Sequence, residues 1–152
     1  MTMTIETASM RHLDRLYEIE RECFKEEAFS RQQIANLLMD YNTISLIAIE
    51  KSNIIGFIIG TILFERKALD GHVLTIDVTS PSQRRGVGRK LLREIEKIFA
   101  EKDVKTCHLE VREDNIKALS LYKNAGYETI GKLKNYYGKA DGLYLRKNLA
   151  QL

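Results

Sequence analysis

The segment SPSQRRGVGRKLLREIEKIF, residues 80–99, places two glycines among a run of cations where a long amphipathic helix begins. Glycine lowers helix stability, and cations at a helix N-terminus oppose the helix dipole. An anion would compensate for both, because a helix N-terminus carries unpaired N–H groups and glycine allows close approach to the backbone. The residues from Arg84 to Arg89 therefore predict a phosphate or pyrophosphate site.

Three other interpretations of this turn compete with that prediction. A dinucleotide site of the G-x-G-x-x-G type fits Gly86 and Gly88, but Leu91 takes the third glycine position and no strand abuts the first glycine. The spacing of a nucleoside-triphosphate P-loop is absent. In the third, the glycines only form a turn and the cations only face solvent.

Hydrophobic periodicity predicts the elements that position this turn. Strands are predicted at 3–6, 44–50, 54–64, 72–78, 107–113, 127–133 and 142–149, and helices from about 10 and at 30–40, 84–102 and 115–124. Ser30 and Gln33 form a capping box, and a hairpin is expected at Ser52 and Asn53.

This order predicts an α/β or α+β fold, a single domain spanning residues 1–152. A mixed, mostly antiparallel central sheet is flanked by helices, with one right-handed parallel β-α-β crossover that carries the anion-binding turn. The longest apolar stretch, 54–64, is too short to cross a bilayer as a helix.

A net charge of +3 does not argue for nucleic acid binding. No secretory signal is expected at the N-terminus, so we predict a cytoplasmic protein with Cys23 and Cys107 reduced, and no membrane partner. His12, His72 and His108 are widely spaced in sequence, and no metal site is expected.

Two motifs identify a family resemblance. QRRGVG, residues 83–88, matches the [QR]-x-x-G-x-[GA] signature of the GCN5-related N-acetyltransferase (GNAT) superfamily. LEVREDNIKALSLYKNAGY, residues 109–127, resembles the second motif of that family. A third segment, NYYGKADGLYLRKNL near the C-terminus, is similar to the branch of the family that acetylates protein N-termini. This branch includes RimI-like ribosomal-protein-alanine acetyltransferases.

The resemblance implies an enzyme that uses acetyl-coenzyme A and releases coenzyme A. The pyrophosphate is expected at the turn, and the pantetheine arm along the backbone of the preceding strand. The cofactor-binding residues implied in this way are Ile76, Asp77, Val78, Arg84, Arg85, Gly86, Val87, Gly88, Arg89, Asn115 and Tyr122.

The implied reaction is direct attack of an amine on the thioester in a ternary complex. The implied substrate is a protein or peptide N-terminus, such as that of a ribosomal protein. In the family, the position of Glu110 is that of the general base and the position of Tyr122 is that of the general acid. The structural alternative is that Glu110 is a solvated strand residue and Tyr122 is a core tyrosine. Phe29, Tyr136 and Tyr137 fall where relatives bind the peptide.

Two alternatives remain open from the sequence. The same cofactor site could serve another amine, such as a lysine side chain, a polyamine or a small molecule. The chain could instead be a non-catalytic partner subunit that binds coenzyme A. The presence of both Glu110 and Tyr122 favours an enzyme.

Overall fold

Seven strands form one mixed sheet in the order β1-β2-β3-β4-β5-β7-β6. The computed structural model describes residues 2–150. The strands are β1 (Thr4–Thr7), β2 (Thr43–Glu50), β3 (Asn53–Glu65), β4 (Ala68–Val78), β5 (Thr106–Arg112), β6 (Glu128–Leu133) and β7 (Gly142–Asn148). The helices are α1 (Leu13–Phe24), α2 (Arg31–Met39), α3 (Val87–Glu101) and α4 (Ile116–Asn124), with short 3-10 turns at Met10–His12, Lys25–Glu27 and Ser80–Ser82.

The sheet separates two apolar cores. On one face, α1 and α2 pack through residues such as Leu16, Ile19 and Ile34, all fully buried. On the other face, α3 packs through Leu91, Leu92, Ile95 and Phe99, and α4 contributes Tyr122. Gly71 permits this close packing, because a Cβ at that position would lie 2.7 Å from the Phe99 ring.

Strands β4 and β5 form a fork. They pair in parallel only at Asp70–Thr106, Gly71–Cys107 and His72–His108, although β4 continues to Val78 and β5 to Arg112. The pairing of β4 with β3 skips a residue at Leu74, next to the point where the fork opens. The predicted parallel crossover is confirmed, and every other strand pair is antiparallel.

Two hairpins differ from the sequence prediction. The first turns at Lys51 and Ser52, with φ of 50° and 68°, so that Asn53 already pairs with Glu50. A second turn at Arg66 and Lys67, with φ of 50° and 66°, extends β4 back to Ala68. These residues lack the Asn-Gly type of signal that normally marks such a turn, so this part of β4 was missed.

The capping box of α2 gives a stability prediction. Ser30 Oγ accepts the Gln33 N–H at 3.1 Å, and Gln33 Oε1 accepts the Ser30 N–H at 2.8 Å. Ser30→Ala is expected to lower the free energy of unfolding by about 1 kcal/mol, measured by chemical denaturation. Ser120→Ala, at an exposed site within α4, is the control and should cost nothing. Equal unfolding midpoints for Ser30→Ala and the wild type would contradict this role.

Candidate active site

The fork between β4 and β5 opens into a cleft of about 1020 Å³. Its walls come from β4, the start of α3, β5 and α4, and from the segments that connect α1 to α2 and β6 to β7. A cleft of this size accommodates a large ligand.

The turn that is predicted to bind an anion lines the cleft. Gly86 has φ of 82°, and the space where its Cβ would lie has no atom within 4 Å. The first helical hydrogen bond of α3 runs from the Lys90 N–H to the Gly86 carbonyl, at 3.0 Å. The preceding N–H groups of the helix therefore have no intrahelical acceptor, which suits a pyrophosphate.

The three arginines of the turn point in different directions. Arg84 and Arg89 line the cleft. Arg85 is not among the residues that line it: its Nη2 donates to Glu50 Oε2 at 2.5 Å, at the end of β2. The structure therefore directs this side chain to a carboxylate of the protein instead of the cleft, in contrast to the role that the sequence predicts for it.

On β4, Ile76 and Val78 line the cleft, but the Asp77 side chain is buried away from it. The Thr75 hydroxyl lies 2.8 Å from Glu20 Oε1 and 2.7 Å from Asp77 Oδ1. One hydroxyl proton cannot be donated to both, so one carboxyl group holds a proton. Burial, followed by the neighbouring Glu20 charge, raises the pKa of Asp77 accordingly. Only the backbone of Asp77 remains a candidate for cofactor contact.

Glu110 lies at the fork together with two histidines. Its Oε1 lies 2.7 Å from His72 Nε2, and its Oε2 lies 3.9 Å from His108 Nε2. The two imidazole rings are stacked with centroids 4.2 Å apart. His72 lines the cleft beside Glu110, so a carboxylate and an imidazole share one proton-handling site.

The sequence pattern does not predict that His72 or His108 belongs to the site. Alternation along β5 does place His108 and Glu110 on one face. The contact with His72 depends on the β4–β5 register, which pairs His72 with His108. Within residues 2–150, these side chains and Glu110 form a group whose ligand atoms lie within 4.8 Å of one another. Two of these atoms, His72 Nε2 and Glu110 Oε1, are hydrogen-bonded to each other.

Tyr122 and Asn115 reach the cleft from α4. Burial is the main cause that raises the pKa of Tyr122, so its hydroxyl keeps its proton at neutral pH. Asn115 Oδ1 accepts the Ala118 N–H at 3.1 Å, which confirms the predicted cap of α4. Its side chain also faces the cleft.

The two cysteines are free, and neither is prepared to act as a nucleophile. Burial is the main cause that raises the pKa of Cys23 to about 12 and that of Cys107 to about 12. Both therefore remain thiols at neutral pH.

The remaining wall contains Phe29, Tyr136 and Tyr137, as predicted for the substrate side. Arg112 connects the two segments that form this wall. It was not among the site residues predicted from the sequence. It forms an ion pair with Glu27, and its guanidinium lies 5.8 Å from the centre of the Tyr137 ring. The α1–α2 and β6–β7 segments are thus held together through one β5 side chain.

Comparisons with known proteins agree with this architecture. Residues 13–127 match the model of the Acetyltransferase (GNAT) family. The chain is 30% identical over 143 residues to a [Ribosomal protein bS18]-alanine N-acetyltransferase of Haemophilus ducreyi, covering 91% of each. It is 42% identical over 79 residues to N-alpha-acetyltransferase RimI of Mycobacterium tuberculosis, a match that spans about half of each chain. The crystal structure of the ribosomal-protein-S18-alanine N-acetyltransferase of Escherichia coli superposes with a TM-score of 0.87 at 22% identity, covering 97% of this chain and 94% of that one.

The fold and the forked cleft are those of an acyl-coenzyme A-dependent transferase. The chain belongs to the GNAT family of acetyltransferases, and its acetyl donor is acetyl-coenzyme A. No helix within residues 2–150 is long and apolar enough to cross a membrane.

Proposed function

We propose that this enzyme acetylates the α-amino group of protein or peptide N-termini, with Glu110 as the general base and Tyr122 as the general acid. The observation that carries the proposal is the Glu110–His72 contact of 2.7 Å at the fork, in the same cleft as Tyr122. Phe29, Tyr136 and Tyr137 on the remaining wall support a peptide as the substrate.

The structure contains a cradle that fits acetyl-coenzyme A. The open space at Gly86 and the N–H groups at the start of α3 suit the pyrophosphate, with Arg84 and Arg89 as its cationic neighbours. Beyond His72, the edge of β4 that faces β5 has no partner strand, and its backbone groups suit the amide groups of the pantetheine arm. Acetyl-coenzyme A supplies the acetyl thioester and leaves as coenzyme A.

The amine must lose a proton before it attacks. An α-amino group has a pKa of about 7.7–8.0, so roughly a tenth is neutral at pH 7, whereas a lysine with a pKa of about 10.4 is almost fully protonated. The Glu110 carboxylate accepts the ammonium proton, directly or through a water molecule. His72, hydrogen-bonded to Oε1, holds the carboxylate in position.

Tyr122 supplies the opposite proton transfer. Because its hydroxyl is protonated at neutral pH, it can donate to the departing sulfur. Tyr122→Phe is expected to lower kcat by about 100-fold and to leave the Kd for acetyl-coenzyme A within about twofold. Steady-state kinetics and calorimetric titration measure the two quantities. Tyr17→Phe, outside the cleft, is the matched control; wild-type turnover in Tyr122→Phe would remove this residue from the mechanism.

The names of the relatives suggest the first substrate to try. One of them is a bS18-alanine N-acetyltransferase, so a peptide that begins like that ribosomal protein, with alanine, is the first candidate here. We place the reaction in the cytoplasm, and the two free cysteines are compatible with that reducing compartment.

Thiol release from acetyl-coenzyme A tests the proposed function. The panel contains peptides that differ in their first residue, lysine peptides with a blocked N-terminus, and polyamines. We expect turnover with free N-termini and little with the other two groups. Turnover with polyamines alone would contradict the proposal, and the absence of turnover with every amine would favour a non-catalytic subunit.

A further inference from the structure

A second ion pair lies directly behind the Glu110–His72 contact. His108 Nδ1 is 2.5 Å from Asp70 Oδ2, in an ion-pair contact without the alignment of a good hydrogen bond. His108 is 7% exposed and its ring is enclosed on both sides, by His72 at 4.2 Å and by Tyr144 at 5.1 Å between centroids. The functions described so far do not use this pair.

The position of Asp70 is itself fixed. Its Oδ1 accepts the Thr106 hydroxyl at 2.7 Å, and Asp70 and Thr106 are opposite each other in the β4–β5 ladder. The pair therefore sits on the last three rungs before the fork opens, where the backbone is held by both strands. Because Asp70 is held in place, it can fix the orientation of His108, which in turn contacts His72 and Glu110 at the fork.

The charges around His108 favour its protonated form. The groups that face this region from neighbouring strands are Glu65 of β3, Asp70 and His72 of β4, Glu110 of β5, and Tyr144 and Arg146 of β7. Burial opposes the charge, but Asp70 and the other carboxylates outweigh it and raise the pKa of His108. Burial raises the pKa of Asp70, but the contacts with His108 and Thr106 outweigh burial and lower this pKa below its usual value.

We propose that His108, anchored by Asp70, is a positioning residue of the proton-accepting site: its cationic ring orients His72 by stacking and places a positive charge beside Glu110. The inference rests on the proposed function, in which Glu110 accepts the proton of the amine. The N–H bond of the ammonium breaks, an O–H bond forms on Glu110, and the electron pair stays on the nitrogen that attacks.

The stack also determines which oxygen of Glu110 is left free. The His108 ring lies against the His72 ring with centroids 4.2 Å apart, so it fixes the plane of the His72 imidazole. In this orientation His72 Nε2 lies 2.7 Å from Glu110 Oε1, and Oε2 is left for the substrate. His108 acts through these two residues.

Three variants separate charge from packing. His108→Phe keeps a ring between His72 and Tyr144 but removes the charge. Asp70→Asn keeps the shape of the anchor but removes its charge. Tyr144→Phe, the matched control, keeps the stack and every charge. The measurement is kcat against pH, with saturating acetyl-coenzyme A and one peptide, so that the ionisation of the amine is common to all variants.

In His108→Phe the acidic limb of the profile should move to higher pH by about one unit, because the proton-accepting site loses a neighbouring positive charge. Asp70→Asn is followed through the titration of His108 itself, Tyr144→Phe should not move the limb, and the Kd for acetyl-coenzyme A should stay unchanged in all three. A uniform loss of kcat at every pH, with the limb unmoved, would reduce His108 to a packing residue and overturn the inference.

A second readout needs no turnover. The chain has three histidines, so ring-proton NMR can follow each of them. His108 should titrate above about 6.5, the value of a free histidine, and its midpoint should fall in Asp70→Asn. A midpoint below that value and insensitive to Asp70→Asn would overturn the ion pair. If the enzyme acetylated only polyamines, the proposed substrate would be wrong. A shift of the acidic limb of the kcat–pH profile in His108→Phe would still support the positioning role of His108.

Discussion

Glu110→Gln is expected to lower kcat by about 10²- to 10⁴-fold while the Kd for acetyl-coenzyme A changes little. Glutamine keeps the size of the side chain but cannot accept a proton from the ammonium group. The loss should fall on kcat because the residue acts in the chemical step, at the fork and away from the phosphate turn. Stopped assays of thiol release, combined with titration of the cofactor, separate the two effects.

Glu113→Gln is the matched control for this substitution. Glu113 lies three residues further along, pairs with Lys132 at 3.1 Å and does not line the cleft. Its replacement should leave kcat unchanged, since exposed ion pairs contribute little. If Glu110→Gln turned over at the wild-type rate, the base would have to be another group.

Gly88→Ala should weaken acetyl-coenzyme A binding by about tenfold or more, equivalent to about 1.4 kcal/mol, without destabilising the fold. A Cβ at this position would meet Leu121, Val78 and Ile76 at ordinary distances of 3.5, 3.7 and 3.8 Å. Alanine is also the better helix former, by up to about 1 kcal/mol. The apo protein should therefore melt at the same or a higher temperature, while the added methyl group occupies space that the phosphates need.

Gly131→Ala is the control, because nothing lies within 4 Å of its Cβ position and it lies in β6, outside the cleft. Calorimetric titration and thermal unfolding should be run on both variants. Unchanged cofactor affinity in Gly88→Ala would contradict the assignment of the phosphate site. A large loss of stability would show that the glycine serves packing instead.

Local patterns predicted much of the fold. The Ser30–Gln33 capping box, the Asn115 cap and the amphipathic α3 each depend on residues close in sequence, and all three are confirmed. The hairpin turns were harder, because Lys51–Ser52 and Arg66–Lys67 adopt positive φ without glycine or asparagine at the expected positions. Each strand of the sheet was predictable, but the residue at which β4 begins was not.

In the candidate site, too, the features that depend on local sequence were predictable and the long-range contacts were not. Motif spacing placed Glu110, Tyr122 and the glycine turn, and the structure brings all three to one cleft. The contacts of Glu110 with His72 and of His108 with Asp70 depend on the register between strands 38 residues apart, which no local pattern encodes. The direction of Arg85 depends on Glu50, a residue 35 positions away. Long-range register and charge pairing therefore account for what was missed.

The position of the acetyl group on a single peptide that begins with alanine and contains one internal lysine distinguishes acetylation of an N-terminus from acetylation of a lysine side chain. After limited turnover with acetyl-coenzyme A, tandem mass spectrometry locates the product. We expect acetylation at the α-amino group, with the lysine unmodified, and no product with Glu110→Gln. Acetylation of the lysine with a free N-terminus would contradict the proposed function.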